Sequence, residues 1–308
     1  MKKIICLIFG CLVFLMVFVL GSSFVSAQGT GIGISPLIFR YSLDRGDVQK
    51  GTINVTNPND FEIGVKSEIE DFLPEGTGGA VELIGESEEI TSLFRWIRVE
   101  PDSFNLAAKE TKTVSFEIAL PEDAEPGSHY ASILFRAVPP EKEGKETTIG
   151  VSGRVGALVL VEVSGEVLSQ GEIVSFKVPS FVGKGPVKFS ATIKNTGTVH
   201  WQAKGTVKIF SWFGREVAEI PLGEHMVLPQ GSRLFEGSLD KKYLFGKYRV
   251  EFEFRTDKDL ILSAQDNFWA FPYQEASGIL IVVILLFFGM KILKKKIKIT
   301  IVKEEKKK

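Results

Sequence analysis

Thr113-Val114-Ser115-Phe116-Glu117-Ile118-Ala119-Leu120-Pro121 is apolar at every second position from Val114 to Leu120 and stops at a proline. Successive side chains of a β-strand point to opposite faces, so this period of two sends Val114, Phe116, Ile118 and Leu120 into a core and their neighbours into water. The same reading extends outward in both directions. Ile53 and Val55 alternate before Asn57-Pro58-Asn59-Asp60, and Ile133, Phe135 and Ala137 alternate before Pro139-Pro140. Val187, Phe189, Ala191 and Ile193 alternate before Asn195-Thr196-Gly197, and Tyr248, Val250, Phe252 and Phe254 alternate after Gly246. Short alternating runs separated by turn residues predict β-sandwiches. Away from the two ends of the chain no long helical pattern appears, although Ser87 to Trp96 has room for one short helix.

The predicted fold class is an all-β ectodomain of two immunoglobulin-like sandwiches in series, plus one C-terminal transmembrane helix. The strand from Val155 to Val163 closes the first unit and Gly171 to Val178 opens the second, which puts the boundary at Ser164-Gly165. The predicted units are a signal peptide at 1–27, domain 1 at 28–164, domain 2 at 165–272, a membrane helix at 273–293 and a lysine-rich tail at 294–308. Residues 73–92, with Gly76, Gly78, Gly79 and an acidic stretch from Glu86 to Glu89, read as an insertion or long loop.

The ends set the expected location. Lys2 and Lys3 precede an apolar run from Ile4 to Leu20, and Val25-Ser26-Ala27 has the small residues of an export cleavage site. Ala276 to Met290 is free of charge, and Ile292 and Leu293 extend it past Lys291, whose ammonium can snorkel to the headgroups. Trp269, Phe271 and Tyr273 precede this run as an interfacial belt. Lysines follow it at 291, 294–296, 298, 303 and 306–308. Basic flanks stay cytoplasmic, so the expectation is a single-pass membrane protein with both domains outside and Ala276–Leu293 in lipid.

Charge excludes one class of partner. The chain has 37 basic and 38 acidic residues. Setting aside Lys2, Lys3, the nine tail lysines, Glu304 and Glu305 leaves 26 basic against 36 acidic residues in the ectodomain, near −10. Such a surface gains nothing from phosphate counterion release, and nucleic acid is not an expected partner. Cys6 and Cys11, the only cysteines, lie in the leader, so the mature domains are expected to stand on apolar burial without disulfides.

Gly33-Ile34-Ser35-Pro36 followed by Gly51-Thr52-Ile53-Asn54-Val55-Thr56-Asn57 resembles the first strands of the pilus-chaperone type of immunoglobulin domain. Trp96-Ile97-Arg98-Val99-Glu100-Pro101, Phe104-Asn105-Leu106, Pro121 and Pro126-Gly127 continue the pattern. An exported chain with such a first domain, a second domain, one C-terminal helix and a basic tail is similar to the WxL-interacting surface proteins of Gram-positive bacteria. Met226 to Phe235 and Gly246-Lys247-Tyr248 resemble that family's second domain, without the asparagine-centred motif expected there. The resemblance spans residues 31–290. It implies a first domain that contacts peptidoglycan and a second that contacts a host or partner ligand.

No catalytic constellation assembles from the residues, so no enzyme activity, metal or cofactor is expected. His129, His200 and His225 are scattered without metal spacing. Asp257-Lys258-Asp259 reads as a solvated turn, since calcium needs six or more oxygens and no partner segment is visible. Binding has more support. In Val207 to Phe213, placing Val207, Ile209 and Phe213 in the core turns Lys208, Phe210 and Trp212 outward. Phe210 and Trp212 beside Gly214 then form a candidate ligand platform, or pack on domain 1 or the membrane. Leu158 and Leu160 oppose the face of Val155, Ala157, Val159 and Val161, so that strand is apolar on both sides and is expected either to be central to the structure or, the preferred reading, to form the seam between the domains. The expected function is binding of cell-wall polymer or of another surface protein. The alternatives are a structural spacer and a chaperone-like acceptor of a partner's strand.

Overall fold

The computed structural model describes residues 31–138 and 153–305. The predicted leader with Cys6 and Cys11 lies outside the described residues, as do Lys306 to Lys308.

Alternating apolar residues make the first unit a sandwich. Its strands are β1 (Gly33–Ser35), β2 (Ile38–Leu43), β3 (Val48–Thr56), β4 (Ile63–Glu75), β5 (Ala80–Gly85), β6 (Ile97–Glu100), β7 (Ser103–Leu106), β8 (Thr111–Ala119), β9 (Gly127–Val138) and β10 (Arg154–Val163). One sheet has the order β1-β3-β8-β6, and the other has the order β2-β10-β9-β4-β5 with β7 also on β4. Ile53, Val55, Val114, Phe116, Ile118, Leu120, Ile133, Phe135 and Ala137 are all buried between them.

The second unit comprises β11 (Gly171–Lys177), β12 (Phe181–Val182), β13 (Val187–Asn195), β14 (Trp201–Ser211), β15 (Glu216–Val227), β16 (Ser232–Leu239), β17 (Gly246–Thr256) and β18 (Ile261–Ala270). The sheet β11-β13-β16 faces the sheet β12-β18-β17-β14-β15. Its core is rich in rings: Trp201, Phe189, Phe235, Phe252, Phe254 and Phe268 are buried in one cluster. Helix α1 (Tyr273–Glu305) follows β18 after two residues. Its segment Tyr273–Ile292, with a mean hydropathy of 2.1 and nothing buried, is long and apolar enough to cross a membrane. The molecule is therefore two immunoglobulin-like sandwiches in series with one apolar C-terminal helix.

Both units use the same strand switch. In domain 1 the chain pairs first with β3 as β1, then crosses to the other sheet as β2 and runs parallel to the last strand, β10, from Ile38↔Leu158 to Leu43↔Val163. In domain 2 it pairs with β13 as β11, then crosses as β12 to run parallel to β18 at Phe181↔Trp269 and Val182↔Ala270 only.

The expected long loop at 73–92 is a correction. β4 continues to Glu75 and turns at Gly76 to Gly79 into β5, pairing Glu75 with Ala80 and Phe72 with Leu83. Gly76 and Gly79 have φ of 59° and 86°, the left-handed backbone that glycine adopts without a Cβ clash. The glycines thus mark a hairpin turn. The short helix expected within Ser87 to Trp96 is a single 3-10 turn, Phe94–Trp96.

Candidate functional site

Two ends of domain 2 concentrate the unusual chemistry. Strand β14 begins at Trp201 and ends at Ser211, and its antiparallel neighbour β17 meets it at Ala203↔Thr256 and Ser211↔Tyr248. Strand β18 then pairs Gly246 with Ala270. The tip of the β14–β15 hairpin, the segment before β17 and the start of α1 therefore share one end, the base. The turns after β13 and β17 share the other, which meets domain 1.

At the base, Phe210 and Trp212 differ in setting. Phe210 is half-buried on the sheet, with the Arg249 guanidinium 5.0 Å from its ring centre. Trp212 is 68% exposed in the turn and packs edge-on against Phe213, centroids 5.1 Å apart. Phe213, expected in the core, is 85% exposed. The reason is local. β14 stops at Ser211, whose N–H bonds the Arg215 carbonyl, and Gly214 reverses the chain with φ of 77°. Past that point strand alternation no longer assigns faces.

The predicted belt residues lie at the same end. Trp269, Phe271 and Tyr273 are exposed. The Lys291 ammonium lies 5.5 Å from the Phe287 ring centre. The first turn of α1 is tied to the sandwich. The Tyr273 ring lies 6.2 Å from Phe181 and rests on Gly183, where a Cβ would come within 2.5 Å of it. Lys184 Nζ is 3.7 Å from Glu275 Oε1. Phe181, Tyr243 and Phe245 also stand exposed here and were not singled out from the sequence. For Tyr243 and Phe245 the available signal was aromatic rings in a turn segment, where no strand face buries them; Phe181 lies on the two-residue strand β12.

At the opposite end, Leu160 is buried and Leu158 half-buried in a cluster with Phe72 and Tyr130 of domain 1 and with Met226 and Leu228 of domain 2. Phe72 and Tyr130 stack with centroids 4.9 Å apart. Polar contacts flank this patch. Thr198 O accepts the Ser128 N–H at 2.9 Å, and Thr77 O accepts the Leu234 N–H at 2.9 Å. Lys258 Nζ reaches Glu162 Oε1 at 2.8 Å, which gives the Asp257–Asp259 turn a docking contact. Gly127, with φ of 129°, lies so close that a Cβ would meet Thr198 O at 3.0 Å. A groove of about 150 Å³ opens beside the patch, lined in part by Ile38, Arg40, Pro74 and Arg233.

The histidines are engaged structurally. Ser128 Oγ accepts the His200 backbone N–H at 2.8 Å and lies 2.6 Å from its Nδ1, across the seam. Burial holds the His200 pKa below its ordinary value. His129 is buried between the Ser92 and Glu125 carbonyls, at 3.2 and 2.9 Å. His225 packs 5.0 Å from the Phe235 ring, and burial lowers its pKa as well. Among the described residues no three His, Cys, Asp or Glu side chains gather as metal ligands.

No family model matches the chain, and no curated protein matches it in sequence. Among solved structures it is similar to the class 5 fimbriae chaperone CfaA, at 14% identity and a TM-score of 0.42, covering 77% of this chain and 99% of that one. It is also similar to the E. coli chaperone DraB, at 15% identity and a TM-score of 0.37, covering 79% and 97%. A third likeness is to the Salmonella enterica SafA pilin–SafB chaperone complex, at 14% identity and a TM-score of 0.37, covering 79% and 98%. At these identities the likeness concerns the fold alone.

Proposed function

We propose that the chain is a single-pass, membrane-anchored, non-catalytic surface protein that holds domain 1 away from the bilayer to bind a partner. One observation supports this above others: domain 1 docks at one end of domain 2 and the apolar helix leaves from the other. The 11 residues of β14 run between those ends. At the rise of an extended strand they span roughly 35 Å. The lysines after the apolar segment orient it with the sandwiches outside and the tail inside. The partner classes are a surface protein or a cell-wall polymer, the latter favoured by the resemblance to WxL-interacting proteins. Protease added to intact cells should remove the sandwiches and leave a membrane fragment with the lysine tail. Protection of the sandwiches with digestion of the tail would overturn the orientation. Purified peptidoglycan and surface proteins should retain the full chain, and retention by neither leaves the spacer reading.

A second reading, acceptance of a partner's strand, rests on β2, the outer strand of its sheet. The Leu37 and Leu43 carbonyls accept bonds from Leu158 and Ser164. By strand alternation, the backbone groups of Arg40 and Ser42 then face outward, where a strand can add. Proline is tolerated at an outward edge position, so Ser42→Pro should keep the fold and abolish strand addition. Unchanged partner binding by that variant removes this reading.

A further inference from the structure

The geometry points to the base of domain 2 as a bilayer-docking surface, built from aromatic side chains of separate loops that enter the same membrane interface as α1. This rests on the membrane-anchor reading and deepens it. The residues come from parts of the chain that only the fold unites. Trp212 and Phe213 stand at the tip of the β14–β15 hairpin. Tyr243 and Phe245, the latter 64% exposed, precede β17. Phe181 sits on β12, directly opposite Trp269. In the described sandwiches Phe61 is the one exposed aromatic ring that lies elsewhere. Exposed apolar rings gathered on one surface mark a contact, and the start of an apolar helix in their midst identifies the partner as lipid.

Charge agrees. The ectodomain is acidic as a whole, yet the same loops present Lys184, Arg215, Lys241 and Lys242 as exposed side chains. The Lys242 ammonium lies 5.2 Å from the Tyr243 ring centre, a pairing of cation and ring suited to the headgroup layer. The acids at this end are Asp240, Glu216 and Glu275, and Glu275 faces Lys184. The loops are also held in place. Gly185 N–H bonds the Lys242 carbonyl at 3.1 Å, Lys241 Nζ bonds the Val217 carbonyl at 3.1 Å, and Tyr248 Oη accepts the Phe245 N–H at 3.3 Å. A surface set this way fixes the tilt of the sandwiches on the membrane.

The test uses the full chain, with Cys6 and Cys11 replaced by serine, in phosphatidylcholine–phosphatidylglycerol vesicles. Single cysteines at Phe213→Cys, Phe245→Cys, Ile284→Cys and Glu88→Cys carry an environment-sensitive fluorophore, and spin-labelled lipids act as shallow and deep quenchers. Positions 213 and 245 are exposed, so these substitutions leave the core untouched. The expected result is blue-shifted emission and shallow quenching at 213 and 245, deep quenching at 284, and water-like emission at 88. Water-like emission at 213 and 245 with deep quenching at 284 overturns the docking surface while leaving the anchor standing. A blue shift at 213 and 245 without lipid quenching overturns it in favour of a protein contact. Absence of lipid quenching at 284 removes the anchor and the docking surface together.

Discussion

In domain 1, Asn57 follows β3 and buries its amide; in domain 2, Asn195 closes β13 and does the same. Asn57 Nδ2 donates to the carbonyls of Phe61, Leu106 and Ala107, and its Oδ1 accepts the Asn59 N–H. Asn195 Nδ2 donates to Val199 and Val227 carbonyls, and its Oδ1 accepts the Gly197 N–H. The two units therefore share a pin at the same point of the strand plan, with carbonyl acceptors placed four residues on and on a later strand. They differ in finish. β2 covers six residues of the last strand in domain 1, whereas β12 covers two in domain 2. Domain 2 also carries most of the exposed rings, and carries them at the end away from its neighbour. One strand plan thus carries two different sets of loops and edges.

The ring-rich core of domain 2 gives the largest expected effect. Phe235 is fully buried, 4.8 Å from Phe254 and packed by His225. Phe235→Ala should cost about 3–5 kcal/mol in a denaturant melt, and a much smaller loss would mean that the domain 2 core is loosely packed.

The shared pin predicts a graded pair. The Asn195 bonds are all buried, whereas most of the Asn57 bonds are only partly so. Leaving buried carbonyls without donors costs on the order of 1–3 kcal/mol each, so Asn195→Ala should cost about 3 kcal/mol and Asn57→Ala about 2. A reversed order would break the parallel between the domains.

A pH titration addresses the seam between them. Burial lowers the His200 pKa from the ordinary 6.5, outweighing Glu162, and Lys258, Asp257 and Arg40 act more weakly. The folded state then binds fewer protons than the unfolded state between the lowered value and 6.5. Stability from this group is therefore full above that range and lost as pH falls through the lowered value. Melting at pH 7.5 and 5.5 should show a loss on acidification that His200→Asn reduces, and an equal loss in both proteins would assign it elsewhere.

The smallest effect belongs to the hairpin tip. Trp212→Ala with Phe213→Ala should change stability by no more than about 0.5 kcal/mol, because surface side chains rarely contribute more. A loss of several kcal/mol would return Phe213 to a core.

Reading by alternation succeeded where the information is local. Val114 to Leu120, Val187 to Ile193 and Tyr248 to Phe254 are buried on the faces that a period of two assigns. The reading failed at Phe213, one residue past the point where a turn replaces the strand. It also took Gly76 to Gly79 for part of a loop, since nothing local shows that Phe72 and Leu83 pair across it. Asn57 and Asn195 were legible as turn residues, but not as pins, because the carbonyls they hold come from strands far along the chain.

The sequence by itself determined the strand faces, the apolar helix, the acidic balance of the sandwiches and the two-sided apolar strand around Leu158 and Leu160. Each depends on the order of residues within a few positions, or on a simple count. Only the tertiary structure decided which loops share an end. Trp212, Phe245 and Phe181 lie far apart in the chain, and it is the strand order β12-β18-β17-β14-β15 that brings them to the base where α1 begins. Strand order is set by the burial of whole faces and by non-local backbone pairing, and neither leaves a mark in the residues of a turn.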